Sequence, residues 1–319
     1  MADSSDAAVP TRALVIANPA SGSHSPELVR DVEELCSAHL SHTERHLTTA
    51  PGDATAFVRR ALERTEGAPD LVVAIGGDGT VREVVQGLAE SAGRAALMVV
   101  PGGTGNSGYK MLWGEQPWTE SLKAVLADSG PGGSARLRHL DLARLAETGN
   151  CVCLGACTGV IADALITAKG IPLSGRELYA RAFAETAEAY VPYPGRVVVD
   201  GKVVHEGPTV LANVGGGRYR GGRFLVLPDS VLDDGLLDVC VIGDGVAATE
   251  VPGLTLEAAH MAHPATVYAR GRTITVERTD GGRLPLEHDG EYQHGIGASA
   301  TFDVLPGALA AWASARDEL

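Results

Sequence analysis

Three apolar runs in the first hundred residues, each ending in a loop of turn formers and the first two leading on into a segment of helical periodicity, constrain the fold more than any other feature. Residues 13–17 (ALVIA) end in Asn18-Pro-Ala-Ser-Gly-Ser23, and Pro26 opens a helix whose Leu28, Val32, Leu35 and Cys36 share one face. Leu71-Val-Val-Ala-Ile75 ends in Gly76-Gly-Asp-Gly-Thr80, and Val81, Val84, Val85 and Leu88 follow at i, i+3, i+4, i+7 spacing. Leu97-Met-Val-Val100 runs into Pro101-Gly-Gly-Thr-Gly-Asn106. A weaker β-like run near His46–Thr49 and a helix from about Asp53 to Arg64 lie between the first two. Parallel neighbouring strands need long crossovers, which helices supply, so this alternation predicts a doubly wound parallel sheet. Ligands of such sheets bind at the loops leaving the carboxyl ends of the strands, and the three glycine-containing loops all leave that end.

Beyond the Gly/Pro/Ser-rich stretch Ser129–Ser134 the texture changes. Val197–Asp200, Val203–His205, Val210–Asn213, Leu225–Leu227, Leu237–Val241 and Thr273–Val276 are short β-like runs between Gly, Asp and Pro turns, with one helix over Gly175–Tyr190. A second, mainly antiparallel domain is expected, and 319 residues suit two domains.

A net charge of −14 argues against nucleic acid, whose phosphates need a concentrated basic surface, and against tight adsorption to an anionic membrane. Lys110, Lys123, Lys169 and Lys202 are the only lysines among 26 basic residues, so a phosphate site would rely on Arg or backbone amides. The first ten residues carry no basic segment followed by an apolar core, and no long apolar run occurs, so a cytoplasmic address is expected. The five cysteines lack zinc-ligand spacing and read as buried reduced thiols.

Gly76–Thr80 is the strongest local signal. Glycines let the backbone approach an anion, and the next helix offers unpaired N–H groups at its positive end. Asp78 within such a loop needs a metal, or a proton to accept, to justify its charge. Gly103-Thr-Gly-Asn-Ser-Gly108 fits the dinucleotide pattern but follows the fourth strand, and Gly114 and Pro117 argue against a clean helix after it. A phosphate-contacting loop remains, whereas a nicotinamide oxidoreductase fits poorly. Neither a Walker A string nor the protein-kinase signatures occur. Asp229, Asp233, Asp234 and Asp238 bracket a glycine turn that suits Mg²⁺ or a plain acidic hairpin equally. Glu287-His-Asp-Gly-Glu291, by itself, reads as a solvated turn.

Together, Asn18-Pro-x-Ser-Gly22, Gly76-Gly-Asp-Gly-Thr80, Pro101-x-Gly-Thr-Gly-Asn106, Gly215-Gly-Gly, Asp233-Asp-Gly-Leu-Leu-Asp238 and Asp289-Gly-Glu291 resemble, in order and spacing over residues 12–310, the diacylglycerol kinase catalytic family. That family includes soluble bacterial lipid kinases and sphingosine kinases, and NAD kinases share its Gly-Gly-Asp-Gly loop and general fold. The resemblance implies an α/β plus all-β chain, a doubly wound parallel-sheet domain followed by an antiparallel β-sandwich. It implies a nucleotide-binding domain over 12–140, an acceptor and metal domain over 141–304, and a segment 305–319 that returns to the first domain. By the same resemblance ATP is held by Asn18, Pro19, Ala20, Ser21 and Gly22, by Thr49, by Gly76, Gly77, Asp78, Gly79, Thr80, Val81 and Arg82, and by Thr104, Gly105 and Asn106. Asp234 with the carbonyls of Val231 and Leu236 matches the Mg²⁺ site. Glu291 matches the general base, while Asp78 either binds the catalytic metal or, in the sphingosine-kinase manner, accepts the proton. Ser107 departs from the bacterial Gly-Thr-x-Asn-Asp form, as sphingosine kinases also do.

The expected activity is ATP- and Mg²⁺-dependent phosphorylation of a hydroxyl on a lipid or lipid-like acceptor. The alternatives are a kinase of a small biosynthetic intermediate, which the acidic composition favours, and a nucleotide-binding regulator with weak or no turnover. Expected partners are a nucleoside triphosphate and the hydroxyl-bearing acceptor, with no nucleic acid, at most transient membrane contact, and a homodimer left open.

Overall fold

The computed structural model describes residues 9–22, 25–91, 95–127 and 133–315. Ser23, residues 129–132 of the Gly/Pro/Ser-rich stretch, the first eight residues and residues 316–319 of the returning segment lie outside the described residues. The chain divides into two compact units, Met1–Leu140 with Gly307–Leu319, and Asp141–Pro306.

The first unit runs β1 (Arg12–Ala17), α1 (Pro26–His39), β2 (His42–Leu47), α2 (Asp53–Leu62), β3 (Leu71–Gly76), α3 (Asp78–Ala89), β4 (Ala96–Pro101), α4 (Ser107–Trp113), α5 (Trp118–Ala127) and the start of β5 (Ala135–Leu145). Its strands pair in parallel in the order β2-β1-β3-β4, and Ala311 of the returning segment pairs with Leu97 beyond β4. β3 is buried along its whole length, and β1 and β4 nearly so, because helices cover both faces of a parallel sheet. β2 is paired with β1 alone in this order and holds only exposed and half-buried residues, so its sequence carries no apolar run. Ser25 caps α1 by accepting the Leu28 N–H at 3.0 Å, with Pro26 at the first helical position, where no N–H is needed.

Contrary to expectation, a helix does follow the Gly103–Gly108 loop. Gly114, at φ +62°, ends α4 and donates its N–H to the Lys110 carbonyl at 2.9 Å, and Pro117 precedes α5. The two breakers separate two helices instead of abolishing one.

The second unit continues through the end of β5, β6 (Cys151–Val152), β7 (Ala156–Thr158), α6 (Val160–Ala168), α7 (Gly175–Glu188), β8 (Tyr193–Val199), β9 (Lys202–Gly215), β10 (Tyr219–Arg220), β11 (Phe224–Leu225), β12 (Leu237–Gly243), α8 (Val251–Leu256), β13 (Thr266–Gly271), β14 (Thr273–Arg278), β15 (Leu286–His288), β16 (Glu291–Tyr292) and β17 (Ser299–Ser314), whose end belongs to the first unit. This is an antiparallel β-sandwich organised by β9. Residues 202–209 of β9 pair with β8, whereas residues 209–215 pair with β12 and, at 213–214, also with β7. The two runs expected at 203–205 and 210–213 are thus one strand. β12 sends Val239 and Val241 into one apolar cluster and Cys240 and Ile242 into another, so that, after the buried Asp238, residues 239–242 read as unbroken apolar sequence. α6 and α8 add to the single helix expected here. α6 follows Gly159 at φ +72° and is built of small and apolar residues with little polar contrast, so its periodicity is faint.

Candidate active site

Four loops leave the carboxyl ends of β1 to β4. In the first, Asn18 organises its own turn, its side-chain oxygen accepting the Ala20 N–H at 2.9 Å and its carbonyl the Ser21 N–H at 3.1 Å. Its side-chain amide also reaches Thr80 Oγ1 at 3.3 Å, which ties the first loop to the third. The third and fourth loops touch backbone to backbone. Gly102 donates its N–H to the Gly76 carbonyl at 2.9 Å, and a Cβ on Gly103 would stand 2.2 Å from the Cα of Gly77. Glycine is needed here for close approach, not for an unusual φ. Asn106, at φ +55°, closes the fourth loop by accepting the Gly103 N–H and donating to the Gly103 carbonyl, both at 2.8 Å. A Cβ on Gly22 would meet Thr104 Oγ1 at 3.3 Å. The loops from β1, β3 and β4 therefore form one glycine-lined floor at the N-terminus of α3, a setting that suits polyphosphate oxygens.

Asp78 does not point at an empty site in this floor. Its Oδ1 accepts the Gly108 N–H at 3.0 Å and its Oδ2 the Ser107 N–H at 3.2 Å, so the carboxylate sits at the N-terminus of α4. There it satisfies donors that the helix leaves unpaired and meets the favourable end of its dipole. Thr49, after β2, donates its N–H and hydroxyl to Asp53 Oδ2 at 2.8 and 3.0 Å. Glu83 of α3 accepts the N–H groups of Gly52 and Ala54 at 2.9 and 3.2 Å and so fixes this second loop to α3. No local pattern singles out Glu83, because its partners lie 29 and 31 residues away.

In the second unit, Asp289 and Gly290, at φ +50° and +87°, form the two-residue turn between β15 and β16. Asp-Gly is the pair that such a turn favours. Glu291 follows, exposed on β16 opposite His288. The turn is not simply solvated, since Glu287, His288 and Asp289 are all buried. Asp289 accepts three backbone N–H groups, from Cys153 at 3.0 Å, Leu154 at 2.7 Å and Gly155 at 3.3 Å. Burial pushes its carboxyl up, but the adjoining His288 and these amides outweigh burial and hold it below the ordinary carboxylate range. Burial pushes Glu287 the other way, above its ordinary value, against the opposing charge of Arg220. Arg220 donates to Asn213 Oδ1 at 2.9 Å, and its guanidinium fills the space that a side chain at Gly155 would need. A Cβ on Gly215 would stand 2.5 Å from the Cα of Gly155, so this glycine motif also serves backbone contact.

The turn expected to hold Mg²⁺ is differently arranged. Asp234 Oδ1 accepts the Leu236 N–H at 3.1 Å, and Oδ2 is paired with the guanidinium of Arg270. Gly235 donates to Asp141 Oδ2 at 2.6 Å. Among the described residues no group of three or more His, Cys, Asp and Glu side chains is disposed to hold a metal ion. With a guanidinium on one oxygen and a backbone amide on the other, Asp234 as placed does not fit a hard divalent cation, which demands several oxygens and no adjacent positive charge. Arg270 and Asp141 escaped the sequence reading. The alternate spacing of Tyr268 and Arg270 on a strand is the signal that could have exposed Arg270.

Residues 12–132 match the family model of the diacylglycerol kinase catalytic domain, and residues 156–313 that of the YegS C-terminal NAD kinase beta sandwich-like domain. A diacylglycerol kinase of Bacillus subtilis (strain 168) is 30% identical over 288 residues, which cover 88% of this chain and 90% of the relative. The diacylglycerol kinase of Staphylococcus carnosus (strain TM300) is 26% identical over 292 residues, covering 88% and 89%. A crystal structure of a diacylglycerol kinase from Bacillus anthracis str. Sterne superposes with a TM-score of 0.71 at 22% identity, covering 96% of this chain and 97% of that one, which is a likeness of fold. With a glycine-lined floor in the first unit, an antiparallel sandwich in the second and these relatives along nearly the whole length, the chain belongs to the diacylglycerol kinase family of phosphotransferases.

Proposed function

We propose that this chain transfers the γ-phosphoryl group of ATP to the hydroxyl of a lipid or lipid-like acceptor. The observation that carries this reading is the contact between the Gly76–Thr80 and Gly102–Asn106 loops, made through glycine backbone at the N-terminus of α3. Phosphoryl transfer asks chiefly for positioning and charge neutralisation, and such a floor offers N–H groups without a bulky side chain in the way. Asn18 to Gly22, Thr49, Gly76 to Arg82 and Thr104 to Asn106 are assigned to the nucleotide. Asp78 is assigned to positioning, because both its oxygens orient the first turn of α4. Magnesium enters as part of the MgATP substrate and neutralises phosphate charge there. Glu291, exposed on β16, is assigned as general base. It takes the acceptor's hydroxyl proton as the acceptor oxygen bonds to the γ-phosphorus, and the bond to the bridging oxygen breaks to release ADP.

The net charge of −14 favours a second reading, a polar metabolite as acceptor. ADP release measured with diacylglycerol in mixed micelles and with a pool of polar hydroxyl metabolites separates the two. ATP binding without ADP release in either pool would indicate a nucleotide-binding protein without turnover. Glu291→Gln keeps the side chain's shape but cannot accept a proton. Its kcat is expected to fall about 10²–10⁴-fold while ATP affinity stays near wild type. Normal turnover of Glu291→Gln beside a dead Asp78→Asn would move the base role to Asp78.

A further inference from the structure

Asp238 is fully buried in β12 and is the register partner of Arg270 across the β12–β13 ladder. Tyr268, two residues before Arg270 and hence on the same face of β13, donates its hydroxyl to Asp238 Oδ1 at 2.8 Å. Arg270 Nε reaches the same oxygen at 3.2 Å, and Nη2 of the same guanidinium pairs with Asp234 Oδ2. One planar cation thus spans two carboxylates of one turn, a geometry that its rigid fork of donors permits and a lysine ammonium does not. The remaining Asp234 oxygen closes its own turn on the Leu236 N–H. Buried Asp238 has to be paired or neutralised, and Arg270 supplies the charge from the neighbouring strand.

We propose that Arg270 takes the place of a divalent cation at the Asp234–Asp238 turn, so that the turn is closed without metal. A turn closed by a free ion would gain stability with ion concentration by mass action, and a turn closed by Arg270 would not.

The test is thermal melting of the full-length, nucleotide-free chain in EDTA and in millimolar MgCl₂. It reads stability and not turnover, so it fails or succeeds separately from the kinase reading. The wild type is expected to melt at the same temperature in both. Arg270→Met, which leaves Asp238 buried without its cation, is expected to melt roughly 6–12 °C lower in EDTA. It should recover part of that loss in Mg²⁺, and the recovery should vanish when Asp234→Asn is added. Arg270→Lys, with the charge but not the fork, should fall between. A wild-type Tm that rises with Mg²⁺ and loses the rise in Asp234→Asn overturns the proposal, as does an Arg270→Met protein that melts like wild type. If Arg270→Met does not fold, Mn²⁺ binding to the wild type, followed by electron paramagnetic resonance, decides. A bound ion removed by Asp234→Asn overturns the proposal, and a spectrum that Asp234→Asn leaves unchanged upholds it.

Discussion

Asp78, Glu83 and Asp289 each direct a carboxylate at backbone N–H groups distant in sequence, and in each case the acceptor fixes a loop. For Asp289 this has a pH signature. Its folded-state pKa lies below the ordinary 3.8, so its stabilisation is full above that value and is lost as pH falls through the lower folded value. Asp289→Asn keeps one acceptor oxygen but no charge, and should cost about 2 kcal/mol at neutral pH, narrowing below about pH 3.8. Urea midpoints for both proteins between roughly pH 3 and 7 check this, and a gap that stays constant down to the acid end would exclude the carboxylate as its source. Such roles were not legible beforehand. The strings Gly76–Thr80 and Glu287–Glu291 mark turns, but the amides that hold Asp78 lie 29 and 30 residues away and those that hold Asp289 lie 134–136 away, beyond any local pattern.

Elements were legible where burial imposes a period and obscure where it does not. β3 and β12, buried on both faces, announce themselves as apolar runs, whereas β2, half-exposed, is placed by sequence at residues 46–49 and by structure at His42–Leu47. α4 and α6 are short, and a seven-residue helix after a left-handed Asn106 offers no periodicity to detect. The contact between the third and fourth loops belongs to this scale. A methyl group at Gly103 would stand 2.2 Å from the Gly77 Cα, and backbone cannot swing aside as a side chain can. Gly103→Ala should therefore cost about 1–3 kcal/mol by overpacking and weaken nucleotide binding disproportionately, because both loops must shift. Gly52→Ala is the control. At φ +82° the alanine is strained, yet its Cβ would meet no atom within 4 Å, so the variant should lose stability without that selective effect on affinity. Calorimetric titration of the two variants with ATP distinguishes strain from crowding.

The molecule as a whole keeps all five cysteines buried and out of disulfides. Burial raises the Cys36 and Cys240 thiols to about 12 and moves Cys157 well upward, with the charge of Glu287 adding to the last. Thiolate, the reactive form, is then scarce at neutral pH. A chromogenic disulfide reagent at about pH 8 should titrate close to zero thiols per native chain and all five in urea, and rapid reaction of the native protein would show that these sites open readily. The alternation of strand and helix in the first hundred residues disclosed the architecture, and the family resemblance, not the residues alone, suggested that a distant segment returns to the first domain. That return matters for biosynthesis. The first unit is assembled from Met1–Leu140 and Gly307–Leu319, and Ala311 supplies the strand partner beyond β4. A ribosome delivers β4 more than two hundred residues before that partner, so throughout translation of the second unit the growing chain carries an open sheet edge with an apolar strand on it. Factors that shield nascent strands should therefore govern the yield of this protein more than its final stability does.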